Sequence, residues 1–154
     1  PNDNNDESWL LRTARPVRPD FLVYDCHHHL IAVMDAKYKR YGRIGRYGTE
    51  PHSVSREDLY QMATYMSHFG PHNLPFAGIF ISPFNTENEG MLELTGSPQH
   101  FMSICNLPLE TLCDTPTEKD NVKESLAAIE REFATRLDDR LKQIVVLQNA
   151  KGSP

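Results

Sequence analysis

The chain has 154 residues, of which 39% are hydrophobic and 24% are charged. These values are ordinary for a globular protein, and the length is sufficient for one domain with its own core. The formal net charge of -5 argues against a protein that coats nucleic acid with its whole surface, but it leaves room for a local basic patch. No apolar run approaches the ~18 residues that a membrane span requires.

The first residue and the cysteines bear on cellular context. The chain begins with Pro1 instead of Met, so we expect it to be a piece of a longer protein. Cys26, Cys105 and Cys113 are odd in number and form no CxxC motif. This usage fits a reducing compartment better than a disulfide framework. The sequence therefore predicts a cytoplasmic protein without a membrane segment.

The N-terminal third predicts a tail followed by a hairpin. Residues 1–8 are polar and acidic, as in a tail or linker, and residues 8–17 could hold a short strand. The apolar, β-branched stretches at 20–25 and 29–39 predict two strands. Cys26-His27-His28 between them predicts a tight turn. Consecutive strand residues point to opposite faces, so a structural turn is favoured over a zinc site for the three histidines at 27–29.

A glycine-rich loop and a capped helix come next. Residues 40–53 contain three Gly and a Pro and predict a loop. A helix is expected over 55–70, because Ser55 and Asp58 have capping-box spacing and Gly70-Pro71 forms a stop signal.

The C-terminal half predicts three strands and one long helix. A short buried strand is expected at 76–84, and the stretches 91–96 and 100–107 are expected to pair as strands. Thr117 is expected to cap a helix that reaches about Gln143. Its apolar stripe, at spacings of three and four, is Val122, Leu126, Ile129, Phe133, Leu137 and Leu141.

These elements together predict an α/β domain. A mixed central sheet would be flanked by helices, with the long helix packed across it. The domain is expected to occupy residues 9–148, with a short tail at 149–154 after it.

Charged side chains stand where an apolar strand ends. Strand alternation puts Asp35 and Lys37 on one face. A hairpin that turns symmetrically about His27-His28 would bring Asp20 opposite Asp35. Facing like charges are destabilising unless a divalent cation lies between them, and Mg²⁺ accepts carboxylate oxygens. The alternative is an ordinary surface ion pair between Asp35 and Lys37.

These residues resemble the PD-(D/E)xK nuclease motif. Pro19-Asp20 matches its first half, and Asp35-Ala36-Lys37 matches its second half. Gln61 and Tyr65, on the following predicted helix, resemble the QxxxY motif of RecB-like members of that superfamily. The combination is most similar to the nuclease subunits of McrC-type, modification-dependent restriction systems, over about residues 10–84.

The resemblance implies a restriction-endonuclease-like fold and a Mg²⁺-dependent endodeoxyribonuclease, with Mn²⁺ as a second possible ion. Asp20, Asp35 and the Ala36 carbonyl would hold the metal, and Lys37 would orient water or stabilise the transition state. The QxxxY pair, Gln61 and Tyr65, would position the lysine, the water or the DNA.

Two further expectations concern the context of the nuclease. The resemblance implies a GTP-hydrolysing AAA+ subunit as the partner, and since this sequence has no P-loop motif, nucleotide hydrolysis is expected to belong to that other chain. Many superfamily members carry another acidic residue on a helix before the first core strand. Here only Asp3, Asp6 and Glu7 precede it, so either that helix lies upstream or the site works without it. The alternative function is a non-catalytic nucleic-acid-binding or assembly module that keeps the fold.

A basic segment directly follows the nuclease motif. Residues 37–46 contain five cations and no acid. The phosphate backbone of DNA is their natural partner, and a solvated loop is the alternative. The expected DNA-binding residues are Lys39, Arg40, Arg43 and Arg46, with Tyr38, Tyr41 and Tyr47 interleaved.

Overall fold

The structure, a computed structural model, describes residues 18–41, 53–84, 91–94, 97–112 and 119–152. In chain order its elements are β1 (Phe21–Tyr24), β2 (Leu30–Ala36), α1 (Arg56–Phe69), β3 (Phe76–Ser82), β4 (Leu92–Leu94), β5 (Ser97–Asn106), a short 3₁₀ helix (Leu109–Leu112) and α2 (Lys119–Gly152). The possible strand at 8–17 and most of the loop at 40–53 lie outside the described residues.

The five strands form one mixed sheet with the order β1-β2-β3-β5-β4. The three central strands run parallel, and the two edge strands are antiparallel to their neighbours. The expected pairing of the last two strands is confirmed by β4 and β5. This is the predicted α/β fold, and it is consistent with a restriction-endonuclease-like core.

The two helices cover opposite faces of the sheet. Met62 and Met66 of α1 pack against Val33 and neighbouring aromatic residues on one face. Ile144 of α2 packs against Met34 and its neighbours on the other. Burial of both faces explains why β2 reads as a continuous apolar run, as central parallel strands do. No helix in the described ranges is long and apolar enough to cross a membrane.

The hairpin between β1 and β2 has the predicted register. Phe21 pairs with Met34, and the next two pairs follow in step, before a bulge at Tyr24. The turn is closed by Asp25, whose Oδ1 accepts hydrogen bonds from the backbone N–H groups of His27 and His29, each at 2.8 Å. The residue between them, His28, has a positive φ of 63°, a strained left-handed conformation that such local bonds help to hold.

The expected helix over 55–70 is confirmed by α1. Ser55 is its N-cap, and its Oγ accepts a hydrogen bond from the backbone N–H of Asp58. At the C-terminal end of the helix, the backbone N–H of Gly70 donates a hydrogen bond to the Met66 carbonyl.

The predicted end of the long helix is wrong. Instead of stopping near Gln143, α2 continues to Gly152 and includes the start of the expected tail. The added turns are anchored by the sheet, because Ile144 is fully buried and Gln148 donates a hydrogen bond of 2.6 Å to the Pro75 carbonyl. The expected cap, Thr117, lies outside the described residues.

Candidate active site

The candidate site lies at the carboxyl end of β2, under α1. Residues 31–35 are buried, including the carboxylate of Asp35, which is only 4% exposed. Strand alternation directs Asp35 to the same face as Val33, which packs against α1. A charged side chain is therefore held inside the apolar layer between sheet and helix, where charges are costly unless they are paired.

Asp20 reaches the same strand end from across the hairpin. Its Oδ2 accepts a hydrogen bond of 2.7 Å from the backbone N–H of Ala36. The next N–H, that of Lys37, instead donates to the Ile81 carbonyl of β3 at 2.8 Å. Because successive residues of a strand direct their backbone groups to opposite neighbours, the Ala36 carbonyl points to the side where Asp20 lies. Asp20 and Asp35 are close enough for the charge of Asp20 to act on the pKa of Asp35.

Lys37 connects the strand to the helix. Its Nζ lies 2.7 Å from Asp35 Oδ2 and donates a hydrogen bond of 2.6 Å to Gln61 Oε1. Gln61 Nε2 in turn donates to the hydroxyl of Tyr65 at 2.7 Å. The two residues of the QxxxY motif and the lysine of the strand motif therefore form one chain of contacts.

The electrostatics of the pair follow from its burial. Desolvation raises the pKa of Asp35, and the nearby ammonium of Lys37 only partly offsets this rise. For Lys37, burial alone would lower the pKa, but the Asp35 and Asp58 carboxylates outweigh that effect and raise it. Lys37 is thus held as a cation. Its ammonium and Asp35 Oδ2 form a close, largely buried ion pair at 2.7 Å.

Sequence reasoning missed the place of Asp58 in the site. Asp58 is 4% exposed, and its Oδ1 lies 4.0 Å from Lys37 Nζ. Its Oδ2 accepts hydrogen bonds from Lys39 Nζ at 2.7 Å, from Ser55 Oγ at 2.6 Å and from the hydroxyl of Tyr41.

The pKa of Asp58 reflects these partners. Burial would raise it, but the bonds from Lys39, Ser55 and Tyr41 outweigh burial and lower it. The available signal was helical spacing, because Asp58 lies three residues before Gln61 and so on the same polar face of the helix as Gln61 and Tyr65. Asp58 joins the start of α1 to the segment that follows Lys37.

The described part of the basic segment is already paired within the protein. Lys39 contacts Asp58, and Arg40 forms a two-pronged ion pair with Glu110, at 3.2 and 2.5 Å. The guanidinium of Arg40 also lies 4.7 Å from the ring centroid of Phe84. The other two expected DNA-binding residues, Arg43 and Arg46, lie outside the described residues. A role in DNA binding remains a prediction for all four cations.

The donor set at the strand end fits a hard cation. Within the part of the chain that the structure describes, no group of three or more His, Cys, Asp or Glu residues is arranged to hold a metal ion. Mg²⁺, however, is commonly bound by one or two carboxylates, with water and substrate phosphate as the other ligands. Asp20, Asp35 and the Ala36 carbonyl are oxygen donors of this kind, and the Lys37 ammonium lies beside them, 2.7 Å from Asp35 Oδ2.

The described residues form an α/β domain that is consistent with a restriction-endonuclease-like core. Residues 2–76 match the family model described as McrBC 5-methylcytosine restriction system component. The matched segment, just under half of the chain, contains Asp20, Asp35, Lys37, Gln61 and Tyr65. Searches of curated proteins and of solved structures found no match. The family match supports the similarity to McrC-type subunits and indicates a role in a restriction system.

Proposed function

We propose that this chain is a Mg²⁺-dependent DNA endonuclease, the cleavage component of a modification-dependent restriction system that defends against foreign DNA. The observation that carries the proposal is the position of Lys37. It contacts a buried carboxylate on its own strand and a glutamine on the facing helix. A solubilising lysine would extend into water, whereas the Lys37 side chain is only 19% exposed.

The protein's own residues account for binding and orientation. Asp20, Asp35 and the Ala36 carbonyl would hold Mg²⁺ or Mn²⁺, which when bound supplies a Lewis acid and lowers the pKa of a bound water. Lys37 would stabilise the negative charge that develops on the scissile phosphate, as preorganised cations do.

Gln61 and Tyr65 act by holding that lysine. The hydroxyl of Tyr65 accepts from Gln61 Nε2, which fixes the amide so that its oxygen faces the Lys37 ammonium. The rigid helix thereby limits the positions open to Nζ, so less ordering is required when the transition state forms.

The partners of this function are DNA and a second subunit. The chain carries no P-loop motif, so nucleotide hydrolysis would belong to another chain. By similarity to McrC-type systems, that chain is a GTP-hydrolysing AAA+ ring that controls cleavage.

Plasmid cleavage by the full chain, together with its companion subunit, tests the proposal. Mg²⁺ should permit cleavage of methylated plasmid, and chelation should stop it. Asp35→Asn should reduce the rate by about 10²-fold or more, because it removes ligand charge at nearly constant volume. Asp139→Asn, the same change on the exposed face of α2, is the matched control and should cleave like wild type. Absence of Mg²⁺-dependent cleavage, or full activity of Asp35→Asn, would instead favour the non-catalytic module.

A further inference from the structure

Four charged side chains of alternating sign form a row from the end of β2 to the start of α1. They are Asp35, Lys37, Asp58 and Lys39. The Lys37 ammonium lies 2.7 Å from Asp35 Oδ2 and 4.0 Å from Asp58 Oδ1. On the other side of Asp58, its Oδ2 lies 2.7 Å from Lys39 Nζ. Both carboxylates are buried, and each has a cation beside it, which offsets the cost of burying the charge.

The Asp58 carboxylate is fixed through one of its two oxygens. Ser55 Oγ and Lys39 Nζ donate hydrogen bonds to Oδ2 at 2.6 and 2.7 Å, and the hydroxyl of the buried Tyr41 donates a third. The backbone of Lys39 is held in turn, because its carbonyl accepts a hydrogen bond of 2.7 Å from Ser82 Oγ. Three donors on Oδ2 restrict rotation of the carboxylate, so Oδ1 stays on the side of Lys37.

The Lys37 ammonium is therefore attracted from both layers of the fold. Asp35 attracts it toward the strand, whereas the charge of Asp58 and the hydrogen bond of 2.6 Å to Gln61 Oε1 attract it toward the helix. If Asp58 were neutral, no charge of α1 in the described ranges would oppose the attraction of Asp35. The ammonium would then lie closer to its own strand and farther from the helix.

We propose that Asp58 is a positioning residue for cleavage, which holds the Lys37 ammonium between strand and helix so that it faces the scissile phosphate. The inference deepens the proposed function and rests on it, since it takes Lys37 as the group that acts on the phosphate. Asp58 itself acts only through Lys37. A cation that is already oriented needs less ordering when charge develops in the transition state.

Single-turnover cleavage by Asp58→Asn, with the companion subunit and saturating DNA, tests the inference below the unfolding temperature of the variant. The rate should fall about tenfold or more, because small displacements of a positioned group are costly. DNA affinity, measured by fluorescence anisotropy in chelator, should not fall, because the substitution removes a negative charge. Ser55→Ala is the matched control: it removes the helix N-cap and one donor to Asp58, but it leaves the Asp58 charge beside Lys37. Its rate should stay within a few-fold of wild type.

A double-mutant cycle separates positioning from a loss of stability. In the Lys37→Ala background, Asp58→Asn should cause no further loss of rate, because the ammonium through which it acts is absent. Similar losses from Asp58→Asn in both backgrounds would mean that Asp58 only supports the fold. Equal losses in Asp58→Asn and Ser55→Ala would overturn the inference in the same way.

The Lys37 ammonium also provides a readout that needs no cleavage. An ammonium held by hydrogen bonds exchanges its protons slowly with water, so it gives a visible signal in ¹H–¹⁵N NMR spectra, and Lys37→Ala identifies that signal. It should broaden in Asp58→Asn and remain sharp in Ser55→Ala. An unchanged signal in Asp58→Asn, or no signal in the wild type, would overturn the inference. A signal that depends on Asp58 in a protein without Mg²⁺-dependent cleavage would refute the proposed nuclease, while the hold of Asp58 on Lys37 would stand.

Discussion

Asp58→Asn should destabilise the protein by about 2 kcal/mol at neutral pH. Asp58 Oδ2 accepts bonds from Ser55, Tyr41 and Lys39. Hydrogen bonds to a charged group are about twice as strong as neutral ones, and Asn keeps the shape but not the charge. The hydrogen bonds from Tyr41 and Ser55 are shielded from water, so weakening each of them should lower the free energy of unfolding by about 1 kcal/mol. The bond from Lys39, whose side chain is half exposed, should add little.

Urea denaturation of Asp58→Asn and Glu57→Gln measures this effect. Glu57 is exposed in the same first turn, so its substitution reproduces the loss of helix-dipole stabilisation, about 0.3–1 kcal/mol, without touching the cluster. Asp58→Asn should therefore lower the free energy of unfolding clearly more than Glu57→Gln does. Equal losses in the two variants would refute the reasoning.

The same difference should depend on pH in a defined direction. The pKa of Asp58 is lowered in the folded protein, so its contribution is fully present above its ordinary pKa of 3.8 and is lost as pH falls through the lowered value. The stability gap between wild type and Asp58→Asn should narrow below about pH 3.8. A gap that widens on acidification would contradict the assignment of Asp58 as a bonded carboxylate.

Two further predictions address the basic segment and the long helix. Replacing Arg40, Arg43 and Arg46 together by Ala should weaken DNA binding similarly on all sequences and reduce the slope of log K against log salt by about 0.9 per lost phosphate contact. An unchanged slope would mean that these arginines make no contact with the phosphates. Ile144→Ala should lower the free energy of unfolding by about 2–5 kcal/mol, as measured by thermal or urea denaturation. Val146 lies two residues away and is 65% exposed, so Val146→Ala should change that free energy by no more than about 0.5 kcal/mol. Equal effects of the two α2 variants would contradict the packing of this helix on the sheet.

Local patterns in the sequence predicted the elements that hold the site. The turn signals and the period of two were sufficient for the β1–β2 register, which brings Asp20 beside the end of β2. The helical period put Gln61 and Tyr65 on one face, and the structure joins them to Lys37. The hairpin register and the helical spacing link residues that are close in sequence, whereas the contact between Gln61 and Lys37, 24 residues apart, was expected only from the family resemblance.

The features that sequence reasoning missed depend on contacts between distant segments. The ion pair between Arg40 and Glu110 was not predicted, because the two residues are 70 positions apart in the sequence. The length of α2 is set by burial of Ile144 against the sheet and by the bond from Gln148 to Pro75. The bulge at Tyr24 breaks the simple alternation of the hairpin, and nothing in the local pattern marks it.

Single-turnover cleavage by Lys37→Ala at saturating DNA tests the central claim most directly. If Lys37 acts at the scissile phosphate, the rate should fall by about 10²-fold or more while DNA affinity changes little, because the contact strengthens mainly in the transition state. Lys142→Ala is the matched control, since Lys142 also pairs with an aspartate, at 2.5 Å, but on the exposed surface of α2. A Lys37→Ala rate within a few-fold of both wild type and the control would contradict the nuclease assignment.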